Sequence, residues 1–406
     1  MKITYLHQYF NTPDMQGGTR SYEMARRLVS RGHEVHLITT SRDGIKRPKK
    51  SIVKGINIYW IEVPYTNKMN FINRVWAFAK FSILSSFLSL SIKSDIVFAT
   101  STPLTIAIPG IVTKWFRRIP LVFEIRDVWP EIPIQMGIIK NPVLIWLSRS
   151  LEKLAYNESS HIVALSPGMG EEAISTGIKS SKVSIIQNGC DINSFNKIKD
   201  IEKLECKNKN SWINKRKLVL YAGTFGRANG VEYAVNLAQK VNEIDSNIVF
   251  ACVGWGSEKE RVIKLAKENR VLENNFYVLD PLSKKDLFIL MSISDFTLAL
   301  FDGPRILWKD AVQNKFFDSL AAGKPIACNF EGYQSLLAIE NEVGIILKKD
   351  NLVNAANDLV SKINDQIWIN NAEKNALNLA KGYFSRDNLA IKLENILLSV
   401  LEKKNG

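Results

Sequence analysis

Short apolar runs of strand length alternate along this chain with longer stretches in which apolar residues return every three or four positions. The first run, KITYLHQYF, leads through a turn-rich loop ending in Gly17, Gly18 and Thr19 to a helical pattern from about Arg20 to Ser30. RGHEVHLITT, INIYWIEV, DIVFAT, PLVFEIRD, HIVALS and KVSIIQNG predict six further strands, with helical sequence filling most gaps. From about Asp191 to Lys217 the pattern lapses into a polar, Lys/Asn-rich stretch, read here as a linker. It restarts with KLVLYAG, a loop bearing Gly223, Gly226 and Gly230, and the helical run VEYAVNLAQKVNEI. NIVFACVGWG, FYVLDPL, DFTLALF and PIACNF are the strand candidates that follow. Such alternation implies an α/β chain with parallel, doubly wound sheets. Its 406 residues divide into a Rossmann-like domain at 1–190, a linker at 191–217, a second Rossmann-like domain at 218–385 and a C-terminal helix at 386–406 that returns to the first.

One segment, DAVQNKFFDSLAAGKP, carries two acids eight residues apart, Asp310 and Asp318, into an apolar helix that ends at Gly323. The Asn314 to Phe317 amides fall in its first turn, where unpaired N–H groups and the positive dipole end suit a diphosphate. An ordinary amphipathic helix with solvated acids accounts for the same letters. In doubly wound sheets ligands sit beyond the carboxyl ends of the strands, which puts Gly17 and Gly18 on one wall of a cleft and Gly223 and Gly226 on the other. FEIRDVWPE brings Glu124, Arg126, Asp127 and Glu131 to a strand end of the first wall, and His7 ends the first strand. His7 and Glu124 are the acceptor-side candidates, and Arg126 with Asp127 either serves catalysis or forms a simple ion pair.

Charge distinguishes the halves. Residues 1–200 hold 26 Lys and Arg against 15 Asp and Glu, while residues 201–406 hold 28 against 25. Arg42, Lys46, Arg47, Lys49, Lys50 and Lys54 precede the apolar stretch FINRVWAFAKFSILSSFLSL, a combination that suits an anionic membrane surface; a buried core helix is the other reading. Arg74, Lys80 and Lys93 interrupt or frame that stretch, so a spanning helix is not expected. LTIAIPGIVTKWF, broken by Pro109, is read as core. No basic stripe interleaved with aromatics suggests nucleic acid, and the N-terminus has no export-signal pattern, so action in the cytoplasm is expected. Cys190, Cys206, Cys252 and Cys328 form no CxxC pair, and no DxD-type carboxylate pair offers a metal site.

GGTRSYEMARRLVSRGHEV, EIRDVWPEIPIQMG, SPGMGE, IIQNGCDINSF, LYAGTFGRANGVEYAV and NKFFDSLAAGKPI, in this order, resemble the retaining glycosyltransferases of family 4, which have the GT-B fold. The resemblance spans nearly the whole chain, and its EIRDVWPE and NKFFDSLAAGKPI wording is similar to bacterial O-antigen and capsule enzymes of the L-fucosamine transferase type. It implies a nucleotide-sugar donor, preferably a UDP-sugar with GDP as the alternative, and a polyprenyl-diphosphate-linked saccharide acceptor at the inner membrane face. It implies retention, and the lack of a DxD-type pair adds the expectation of a metal-independent mechanism with no other cofactor. Asp310 would contact donor-sugar hydroxyls, Asp318 the ribose, and the backbone of Asn314, Phe316 and Phe317 the phosphates. Apart from the resemblance, the strand end at Leu279 to Leu282 is placed to read the base through backbone contacts. The family's two glutamates are aspartates here, and the Arg and Lys of its glycine loop fall on Thr224 and Asn229. Lys315 and Arg227 are then the cations left to stabilise the leaving diphosphate, with Arg305 and Lys309 in reserve. A GT-B UDP-sugar 2-epimerase, a dinucleotide oxidoreductase and a noncatalytic sugar-nucleotide binder are the rival readings, although neither glycine loop reads GxGxxG.

Overall fold

The computed structural model describes residues 1–15, 17–41, 49–66 and 69–405 and divides into two compact units, Met1–Gln187 with Arg386–Gly406, and Asn188–Ser385. The first unit is built on β1 (Lys2–Leu6), β2 (Glu34–Thr40), β3 (Lys50–Val53), β4 (Ile56–Ile61), β5 (Ile96–Thr100), β6 (Leu121–Ile125), β7 (His161–Ala164) and β8 (Val183–Ile185). They lie in the order β3-β4-β2-β1-β5-β6-β7-β8, parallel throughout except for the antiparallel β3–β4 pair. Strands such as IVFAT and LVFEI are apolar on both faces because helices cover both faces of the sheet. Ile3, Tyr5, Leu37, Phe98 and Val122 meet in the core, each buried aliphatic contributing roughly 1.5–3 kcal/mol.

Several features differ from the sequence expectation, and a short strand at Gly344–Ile346 in the second unit is one that no strand candidate covered. The first strand stops at Leu6, which leaves His7 to Phe10 in the turn beyond its carboxyl end. The edge strand β3 is additional; its four residues alternate between exposed and half-buried, too short a signal to read. The polar stretch expected as a linker contains a helix, Asp200–Lys209, inside the second unit. Acids in its first turn and lysines in its last complement the helix dipole, and the Lys199 amide donates to the Glu202 carboxylate at 2.9 Å, so polar composition there does not mean loop. Arg42, Lys46 and Arg47 lie outside the described residues.

The helix Arg386–Asn405 belongs to the first unit, where Leu389, Leu393, Leu397 and Val400 join the core. Arg27 Nε donates to Asp387 at 2.6 Å, and Glu394 takes Arg31 and His33.

The second unit carries β9 (Lys217–Ala222), β10 (Ile248–Val253), β11 (Phe276–Leu279), β12 (Phe296–Ala299), β13 (Ile326–Cys328) and β14 (Gly344–Ile346). Their order, β11-β10-β9-β12-β13-β14, is fully parallel and reverses direction between β9 and β12. The equivalent reversal in the first unit falls between β1 and β5. Ligand sites of open α/β sheets form at such reversals, outside the carboxyl ends of the strands. Both expected glycine loops and the Asp310 to Asp318 segment follow strands that flank these two points.

Candidate active site

In the second unit, β9 runs into the loop at Gly223, and this loop is packed backbone to backbone on the one after β10. The Phe225 amide donates to the Trp255 carbonyl at 2.8 Å, and a Cβ at Gly254 would stand 1.9 Å from the Gly223 carbonyl oxygen. Only a residue without a side chain permits that approach. Beyond β12 the chain reaches the helix Asn314–Ala321, held at its start by a reciprocal amide pair: the Gln313 N–H donates to Gln334 Oε1 at 2.9 Å, and Gln334 Nε2 donates to the Gln313 carbonyl at 3.1 Å. The side chain of its N-cap residue, Gln313, makes no capping hydrogen bond. Its first amides therefore face the carboxyl edge of the sheet with the positive end of the dipole. Gly323 closes it in the left-handed region at φ +65°, with Lys324 N–H donating back to Ser319 at 2.9 Å.

Lys315 sits in the first turn. Its stem is partly exposed, yet the ammonium is turned inward, inaccessible and without a hydrogen-bond partner, 4.1 Å from the centre of the Tyr221 ring. A Cβ at Gly223 would come within 3.1 Å of the Lys315 Nζ. Burial lowers the Lys315 pKa to about 7; the thiols of Cys252 and Cys328 oppose that shift only weakly, and burial itself pushes Cys328 up to about 12. Asp310 precedes the helix and lies 3.8 Å from Lys309 Nζ, while Asp318 is half-buried one turn inside it. Phe316 and Phe317 place their rings wholly in the core, so their amides alone reach the helix end.

The remaining donor candidates scatter along the same edge. Thr224 is exposed, and its carbonyl accepts from the Tyr221 hydroxyl at 2.9 Å. Asn229 lies in the turn Arg227–Asn229. Arg227 is exposed and lines a separate cavity of about 210 Å³ with Glu232, Arg261 and Asp302, whose lining does not include Lys315. Leu282 borders another cavity, of about 390 Å³, beside the helix Asp200–Lys209.

In the first unit, Arg126 Nη1 donates to His7 Nε2 at 3.2 Å, so a neutral His7 carries its proton on Nδ1. Thr102 Oγ1 donates to Asp127 at 2.5 Å, and the Arg126 amide donates to Ser101 Oγ at 3.0 Å. Of the two readings of Arg126 and Asp127, the simple ion pair does not form; each side chain takes one of these other partners instead. Glu124 corrects the sequence reading. It is buried rather than turned to an acceptor, taking Arg20 Nη2 at 2.8 Å and Thr100 Oγ1 at 2.6 Å, while Arg20 Nη1 also donates to the Gln187 carbonyl at 2.5 Å. Desolvation pushes the Glu124 carboxyl up, but the Arg20 and Arg126 charges and the Arg20 and Thr100 hydrogen bonds together hold it below its ordinary value. Glu131 pairs with Arg149 at 2.7 Å. Gly17 stands over Asn11, whose amide donates to the Gly18 carbonyl at 3.3 Å.

Both halves of the chain match known families. Residues 17–194 fit the family described as Glycosyltransferase Family 4, and residues 202–378 the one described as Glycosyl transferases group 1. The chain is a family 4 glycosyltransferase of the GT-B fold. It is 23% identical over 344 residues to the "Putative colanic acid biosynthesis glycosyl transferase WcaI" of Escherichia coli K12, covering 80% of this chain and 82% of that protein. Among solved structures, Anabaena HepE in complex with UDP-glucose superposes with a TM-score of 0.72 at 17% identity, covering 98% of this chain and all of that one. Sucrose-phosphate synthase from Thermosynechococcus elongatus does so with 0.77 at 14% identity, covering 99% of both.

Sequence reasoning missed several residues of this glycosyltransferase. Arg20 organises the first site, but its partner lies 104 positions away. Gln8, just past β1, is fully buried with neither side-chain amide atom hydrogen-bonded. Trp255 exposes its indole beside the Gly223 loop. The GWG spelling after β10 was the available signal for that packed loop pair. Among the described residues, no three His, Cys, Asp or Glu stand together as a metal site.

Proposed function

We propose that this glycosyltransferase moves a sugar from a UDP-linked donor to a lipid-linked saccharide during synthesis of a surface polysaccharide, with retention and without a metal ion. One observation carries the reading: a helix start without an N-cap side-chain hydrogen bond and an unpaired lysine amine meet the glycine loop at the strand-order reversal of the second unit. Amides of Asn314 to Phe317 would hold the diphosphate, Lys315 would answer the charge that develops as the anomeric bond breaks, Asp318 would accept from the ribose and Asp310 from the transferred sugar. The colanic acid relative and the UDP-glucose complex of HepE support polysaccharide synthesis and a UDP-sugar. N-acetyl-L-fucosamine as the donor sugar rests on the EIRDVWPE and NKFFDSLAAGKPI wording alone.

A lipid-linked acceptor calls for a membrane-facing surface, and one face of the first unit supports that reading. Helices Phe71–Ser91, Ala107–Arg117 and Pro142–Glu158 pack side by side, and each exposes a tryptophan: Trp76 at 68%, Trp115 at 53% and Trp146 at 66%. Ile72, Ile83 and Phe87 continue an apolar stripe along the first helix, while its other side buries Ala77 and Phe81 in the unit. Neither of the first two helices contains an acid. Lys114, Arg118, Lys179, Lys182, Lys403 and Lys404 line a cavity of about 660 Å³ next to Trp115. Amphipathic aromatics with surrounding cations suit an anionic bilayer surface, and among the described residues no helix is long and apolar enough to cross one.

Calorimetric titration with UDP, GDP and their sugar conjugates tests the donor. UDP binding that weakens at least tenfold in Asp318→Ala is expected. Selective GDP binding would reassign the nucleotide, and a variant that binds UDP as well as the parent would remove Asp318 from the site.

A further inference from the structure

Lys315 is placed unlike an ordinary phosphate-binding lysine. Long cationic side chains normally run their stems along the protein and keep the charge in water; here the stem is partly exposed and the amine is enclosed. Around it stand the Tyr221 ring on β9, Cys252 at the end of β10 and Cys328 at the end of β13, with Gly223 closing the remaining side. These are the titratable groups that act on it from the packed strands. Burial keeps each in its neutral form, raising both thiols and the phenol. The Tyr221 hydroxyl is committed to the Thr224 carbonyl. The face of the Tyr221 ring attracts an ammonium, but the enclosure gives it no counter-charge and no hydrogen-bond acceptor, and this desolvation disfavours its protonated form.

Resting on the transferase reading above, we propose that Lys315 is a proton-linked anchor for the donor: above neutral pH its amine lies largely uncharged against Tyr221 and Gly223 in the empty protein, and it takes up a proton from solvent when a nucleoside diphosphate arrives. The balance is simple. The amine gains a proton, the diphosphate gains a cation at its side, and no other bond changes. An arginine or lysine already charged in the glycine loop would bind without this exchange; Thr224 and Asn229 occupy those positions in this chain. Donor affinity thereby becomes sensitive to pH in the neutral range. When the sugar leaves, the charged amine is already beside the oxygen that receives the electron pair. Departure of the nucleotide returns the proton to solvent and the amine to its enclosure.

Titrations of the intact protein with UDP, run at pH 6 and pH 8 in buffers of different ionisation heat, measure protons taken up per UDP bound. With a free-state pKa of about 7, uptake is expected to rise from about 0.1 proton at pH 6 to about 0.9 at pH 8. Subtracting the same titration of Lys315→Met cancels the ionisation of UDP itself. Parent affinity should fall roughly tenfold per pH unit above pH 7, until the pKa of the complex is reached, and the variant should be weaker and flat. UDP binding at pH 8 without uptake, or with uptake that persists in Lys315→Met, would overturn the coupling while leaving the donor site standing. No binding of UDP or GDP at any pH would overturn the transferase reading and the coupling with it. At pH 8 UDP is already fully ionised, so there the parent titration alone reads the proton, and that arm of the test does not depend on the variant folding well.

Discussion

At the scale of single residues, burial separates groups that look alike in sequence. Glu124 and Asp127 are both acids at the end of β6, yet one locks Arg20 into the fold and the other is exposed beside Thr102. Their difference was illegible because Arg20 and Thr100 are remote in sequence from Glu124. Glu124→Gln leaves Arg20 without its counter-charge and should lower the unfolding free energy by about 3–5 kcal/mol, read by urea denaturation. The Glu124 carboxyl is held below its ordinary 4.5, so its contribution is full above that pH and is lost as pH falls through the folded value; Glu124→Gln should flatten that acid limb. Lys315 has the opposite sense. Between about pH 7 and 10.5 the unfolded chain holds a proton that the folded chain has released, so stability from this residue rises across that window. Denaturation of parent and Lys315→Met at pH 6, 8 and 10 should show the variant favoured most at pH 6, with the gap closing by pH 10.

At the scale of elements, periodicity showed where strands and helices lie but not how closely their ends approach. NIVFACVGWG reads as a strand with a glycine-rich end, and only the fold reveals that Gly254 rests on the Gly223 carbonyl. Gly254→Ala forces the two loops apart and is expected to cost about 1–3 kcal/mol of stability and to weaken UDP binding more than Gly177→Ala lowers it. Thermal denaturation and titration of the two variants side by side check this. Gly177 is a fair control because nothing lies near its added methyl, although its φ of +100° carries strain of its own. The helix Asn314–Ala321 was legible from NKFFDSLAAGKP, since apolar spacing and the terminal glycine mark both of its ends. Its amide clamp was not, because Gln334 arrives from beyond the next strand.

On the scale of the whole molecule, alternation of strand and helix sufficed for the fold class, and the order of motifs sufficed for the family. The surplus of positive charge in the first half was legible too, but its meaning depended on three helices that the sequence keeps apart. Binding to vesicles containing phosphatidylglycerol should exceed binding to phosphatidylcholine alone and weaken as salt rises from 50 to 300 mM, by the usual screening of surface charge. Trp76→Ala with Trp146→Ala should reduce sedimentation with those vesicles several-fold and leave UDP affinity unchanged; retention of vesicle binding would remove the three-helix face from the membrane.

The helix Arg386–Asn405 gives the molecule an order of assembly. As the ribosome delivers the chain, residues 1–187 emerge first but lack Leu389, Leu393 and Leu397, whereas Asn188–Ser385 holds all of its own strands once Ser385 has appeared. The half made first is thus completed only when this helix emerges, and until then the apolar surface that Leu389, Leu393 and Leu397 cover is open to aggregation.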